Sequence, residues 1–77
     1  MIDKSHILNI LSQTRPEVSW DKSNDFLMEG LIDSFDIILI TAAIERDYNI
    51  KIPGQEIVAD NFRNLDAIIA LIKRIQK

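Results

Sequence analysis

Few side chains in this 77-residue sequence could do chemistry. His6 is the only histidine and cysteine is absent. A general base needs a nucleophile or an orienting carboxylate beside it, and no motif spacing supplies His6 with either. It reads as a solvated group near the start of a helix. Without Cys or a second His no zinc set can be assembled, and the acidic pairs Asp33 with Asp36 and Glu45 with Asp47 lack the spacing of a calcium loop. Glycine stands only at positions 30 and 54, so no Gly-rich phosphate loop exists. What remains is Ser34. Read locally it is a helix N-cap, and a hydrolase built on it would lack both base and oxyanion motif.

The elements that must position Ser34 follow from the spacing of apolar residues. Ile7, Leu8, Ile10 and Leu11 lie on neighbouring faces of a first helix over Ser5 to Thr14, with Asp3 or Ser5 as N-cap and Pro16 closing it. From Arg15 to Asp33 the periodicity lapses. Pro16, Ser19, Asp21, Ser23, Asn24, Asp25 and Gly30 are turn or cap types, and Phe26, Leu27 and Leu31 would anchor a long connection by burial. Asp33-Ser34 opens the most regular segment, a second helix over Phe35 to Tyr48 bounded by Asn49 and the extended Ile50-Lys51-Ile52-Pro53. Gly54 to Ala59 leaves room for a short third helix. Asn64 caps a fourth, in which Ile68, Leu71, Ile72 and Ile75 repeat at helical spacing and Lys73, Arg74 and Lys77 complement the dipole at the end.

Composition sets the outer limits. A chain this short makes one domain, residues 1–77. Its 47% hydrophobic content, recurring at helical period, excludes a disordered tail and points to an all-α fold. The longest uncharged apolar run, Ile37 to Ile44, falls far short of the roughly 20 residues of a membrane span. Asp3 and His6 interrupt any signal-peptide core, so a cytoplasmic location is expected. A net charge of −3 with no Lys/Arg cluster argues against nucleic acid as a partner.

The segment Leu27-Met28-Glu29-Gly30-Leu31-Ile32-Asp33-Ser34-Phe35-Asp36 resembles the phosphopantetheine attachment motif of acyl and peptidyl carrier proteins, where a Gly precedes an Asp-Ser-hydrophobic triplet at the start of the second helix. The likeness extends over Ile50 to Pro53, the short third helix and the capped fourth, essentially the whole chain. It implies a four-helix bundle with three main helices, a short third helix and a long loop between the first and second. It also implies a stand-alone carrier that is not an enzyme. A phosphopantetheine arm from coenzyme A would be joined to Ser34 by a transferase, with Asp33 and Phe35 as motif neighbours, and would bear acyl or aminoacyl cargo as thioesters. A helix N-terminus suits an added phosphodiester, since its unpaired N–H groups and positive potential favour anions.

At 100° per residue, Ile37, Ile40, Thr41, Ile44 and Tyr48 share one sector of the second helix and Phe35, Ile38, Leu39 and Ala42 another. The first sector is assigned to the core. The second, with Asp36, is left beside Ser34 as a surface for partner enzymes. Carriers of fatty-acid synthesis are richly acidic along this helix, whereas Leu39 stands where a carboxylate is expected and Arg46 lies among the remaining acids, so docking is read as mostly apolar. The run Glu29 to Ser34 is similar to carriers loaded by a separate adenylating ligase, such as D-alanyl carriers and discrete carriers of polyketide or nonribosomal-peptide biosynthesis. Loading by an adenylating ligase or an acyltransferase, and a monomeric state, are expected. The rival reading is a helical interaction module with no prosthetic group, in which Ser34 is only a cap.

Overall fold

The computed structural model describes residues 2–22 and 25–76, the Lys22 side chain aside, and these form three α-helices and no strand. Ser23 and Asn24 of the long connection and Lys77 of the basic tail lie outside the described residues. Helix α1 spans Lys4–Thr14. Of the two candidate caps it uses Asp3, whose carboxylate accepts from the Ser5 N–H at 2.9 Å. It ends at Arg15, because Pro16 brings no N–H and its ring disfavours a helical residue before it. Helix α2 spans Ser34–Tyr48 and starts one residue ahead of the expected Phe35. It stops at Asn49, which takes the left-handed conformation (φ 54°) that Asn tolerates better than most residues. Helix α3 spans Leu65–Gln76, with Asn64 Oδ1 accepting from the Ala67 N–H at 2.8 Å as an N-cap does.

Each helix gives one stripe to a common core: Ile7, Ile10 and Leu11 from α1, Ile37, Ile40 and Ile44 from α2, and Ile68, Leu71 and Ile72 from α3. The connections fill what the helices leave. Phe26, Phe62, Trp20, Ile32 and Ile52 are all buried. The assignment of the faces of α2 therefore holds, with Ile37, Ile40, Thr41 and Ile44 buried and Tyr48 half-buried at its end.

The connection from 15 to 33 is anchored rather than loose. A 3-10 turn, Trp20–Lys22, sets the Trp20 ring edge-on to Phe26 with centroids 5.0 Å apart. The Trp20 Nε1–H donates to the Arg15 carbonyl at 3.1 Å, and the Phe26 N–H donates to Arg63 O at 2.6 Å. Phe26 is wholly buried, while Leu27 and Leu31 are half-buried against the core. Gly30 adopts φ 70°, which closes a turn returning the Leu31 N–H to Phe26 O at 2.8 Å.

The short third helix takes the form of two 3-10 turns, Gly54–Glu56 and Ala59–Phe62. They are split by Ile57 and Val58, the latter fully extended at φ −128°, ψ 154°. Two β-branched residues in succession, with no side-chain cap on either turn, favour this break over a continuous α-helical turn. The second turn delivers Phe62 into the core. No helix among the described residues is long and apolar enough to cross a membrane.

Candidate functional site

The start of α2 is fixed by two carboxylates. Asp33, not Ser34, is the N-cap: its backbone is extended (φ −130°, ψ −174°) and its Oδ1 accepts from the Asp36 N–H at 3.0 Å. Asp36 answers, its Oδ2 accepting from the Asp33 N–H at 3.1 Å, which completes a reciprocal capping box. The reading of Ser34 as a cap is thus corrected. Asp precedes it by one residue in the extended conformation a cap requires, and Ser34 is the first residue with helical geometry. The Ser34 side chain is exposed, and its Oγ has no hydrogen-bond partner among the described residues. Phe35, the other motif neighbour, is 66% exposed.

Asp36 also requires correction. Expected on the docking surface, it is instead buried, 4% exposed. Its Oδ2 accepts from Arg15 Nε at 2.8 Å as well as from the Asp33 N–H, so the charge faces inward to a cation and a backbone donor. Arg15 Nη2 lies 3.6 Å from Asp33 Oδ2. The Asp33 carboxyl is held below its ordinary range, first by the hydrogen bond from the Asp36 N–H and then by the nearby Arg15 charge. Arg15 is the residue of this site that sequence reasoning missed. Its one available signal was indirect, since an Asp at the third position of a capping box turns partly inward and then needs a cation.

The remaining surface residues stand where the helical wheel put them. Ile38 is 60% and Leu39 41% exposed, and Ala42 is exposed beside them. Met28 and Val58, on the connections before and after α2, are also exposed, and no periodic element marked them in advance. The other acidic groups of α2 are engaged. Glu45 Oε2 accepts from the Ile52 N–H at 2.8 Å, and Asp47 bonds Arg46 Nε at 2.8 Å and His6 Nε2 at 3.0 Å. His6 is exposed on α1 and meets Tyr48 edge-on at 5.4 Å, on the far side of α2 from Ser34 in sequence. No cluster of three metal-ligating side chains occurs among the described residues.

The residues at Ser34 fit a phosphodiester link. The hydroxyl is exposed and unbonded, the cap is supplied by another residue, and the first turn of a helix directs N–H groups and positive potential toward an anion. Residues 5–72 match the family model described as the phosphopantetheine attachment site. No curated protein and no solved structure gives a match. The family match takes in both connections and all but the ends of α1 and α3, so this all-helical chain belongs to the phosphopantetheine-binding carrier family, whose members hold that prosthetic group covalently.

Proposed function

We propose that residues 1–77 form a single carrier domain whose phosphopantetheine arm is attached to Ser34 Oγ. The observation that carries this reading is the exposed, unbonded Ser34 hydroxyl at the first helical position, with capping left to Asp33. A phosphopantetheinyl transferase, the partner class of such carriers, would join the Ser34 oxygen to phosphorus from coenzyme A. The pyrophosphate link breaks, adenosine 3′,5′-bisphosphate leaves, and the hydroxyl proton passes to the transferase. The arm supplies a terminal thiol, absent from the cysteine-free chain, on which acyl or aminoacyl groups are held as thioesters. Tethering raises the effective concentration of that cargo at each partner. Catalysis belongs to those partners.

Docking is proposed on Phe35, Ile38, Leu39 and Ala42, and the character of that face supports an apolar mode. Asp36 is buried, Glu45 is spent on Ile52, and Asp47 is spent on Arg46 and His6, which leaves little negative charge on α2 to draw a basic partner. That favours loading by an adenylating ligase or an acyltransferase over a role confined to fatty-acid synthesis. The test is intact-mass analysis after incubation with coenzyme A and a broad-specificity transferase. One phosphopantetheine is gained by the protein and none by Ser34→Ala; an unchanged mass sinks the attachment reading. Loading of the modified protein by fatty-acid synthase enzymes alone would overturn the ligase assignment.

A further inference from the structure

Arg15 links the end of α1 to the first turn of α2 across 21 positions of sequence. Its Nε donates to Asp36 Oδ2 at 2.8 Å, Nη2 lies 3.6 Å from Asp33 Oδ2, and Nη1 lies 3.9 Å from Glu17 Oε2. The backbone beneath it is also held. Its carbonyl accepts from Trp20 Nε1 at 3.1 Å and from the Val18 N–H at 3.3 Å, and its own N–H donates to Leu11 O at 2.9 Å. A carboxylate as deeply buried as Asp36 needs a cation beside it. Among the described residues no other cation pairs with Asp33 or Asp36.

A phosphodiester on Ser34 adds a third anionic group to this one turn. The partial charge of a helix N-terminus, about half an elementary charge, does not offset three anions. We infer that Arg15 is a positioning residue of the attachment site: its guanidinium offsets the Asp33–Asp36 pair so that the first turn of α2 keeps its geometry when Ser34 is modified. The inference rests on attachment at Ser34 as proposed above. It makes Arg15 matter more to the modified protein than to the unmodified one. A residue that only tied the connection down would matter equally to both.

Urea unfolding of the unmodified and modified forms, each verified by intact mass, separates these roles. In the parent protein the arm changes the unfolding equilibrium little. In Arg15→Gln it raises the unfolding constant about threefold at low salt. That gap closes in 1 M NaCl, where the screening length falls to about 3 Å. Arg15→Lys retains the charge and keeps the gap small. Because Arg15→Gln strands the buried Asp36 carboxylate and can unfold the protein outright, Arg15→Gln/Asp36→Asn serves as the second background. There the gap nearly vanishes, since losing one cation together with one anion leaves the first turn with the parent's net charge. Equal stability of the two forms in Arg15→Gln, a gap that salt does not move, or a gap in the double variant well above that of the parent overturns the inference. A mass that never changes overturns the attachment reading and this one with it, and is told apart from the other outcomes by the mass itself.

Discussion

The two ends of α2 are held by different means. At the N-terminal end a buried carboxylate, Asp36, bonds a guanidinium 21 residues away and a backbone N–H in its own turn, beside the exposed Ser34. At the C-terminal end the bonds are shorter in sequence or lie on the surface. Glu45 reaches seven residues to the Ile52 N–H, Asp47 pairs with its neighbour Arg46 and with exposed His6, and Asn49 turns the chain by its own left-handed conformation. A surface pair costs little to open, whereas a buried charge cannot lose its partner cheaply. The end that presents Ser34 is therefore the one where the long connection and the helix are fixed together.

Apart from the loss of Arg15 itself, the largest break in this contrast should come from Asp36→Ala. It removes half the capping box and the carboxylate that Arg15 bonds, and should cost about 2 kcal/mol of unfolding free energy, read by urea denaturation. Glu45→Ala, at the other end, removes one charged acceptor from a half-buried site and should cost about 1 kcal/mol in the same experiment. A loss as large as that of Asp36→Ala would erase the distinction. The smallest effect is expected from acid. The Asp33 and Asp47 carboxyls are both held below their ordinary values, Asp33 chiefly by the Asp36 N–H and Asp47 chiefly by its bond from Arg46. A depressed folded value stabilises the fold above the ordinary carboxylate range, and that contribution is lost as pH falls through the folded value. Stability should thus be unaffected by these two groups between pH 7 and 5 and decline below about pH 4. Asp47→Asn should lower neutral-pH stability slightly, by the amount the parent loses in acid through this group, and make the acid decline shallower.

Much of this was legible in the sequence because it is local. The three α-helices follow from apolar spacing and from caps one to three residues away, and the inward and outward faces of α2 follow from the helical angle alone. Ser34 stood out because little else in the chain could do chemistry. What the sequence did not convey is long-range or depends on a side chain's direction. Asp36 looks like a surface acid until Arg15 is folded over it. Asp33 and Ser34 are both good caps on paper, and only the backbone conformation decides between them. The third helix read as one piece because Gly54 to Ala59 contains no strong breaker. Its division came instead from the extended backbone at Val58 and from Phe62 being drawn into the core.

The packing of Trp20 has a practical consequence. It is the chain's one tryptophan, 2% exposed, stacked edge-on to Phe26 and bonded through its indole N–H to the backbone of Arg15. Its fluorescence is thus an unlabelled gauge of the connection alone, whereas far-ultraviolet circular dichroism weighs the three helices. An emission that shifts to the red before the helical signal fades would mark the connection lifting from an otherwise intact bundle. The same gauge, read as the arm is installed, would show whether the connection shifts when Ser34 is modified.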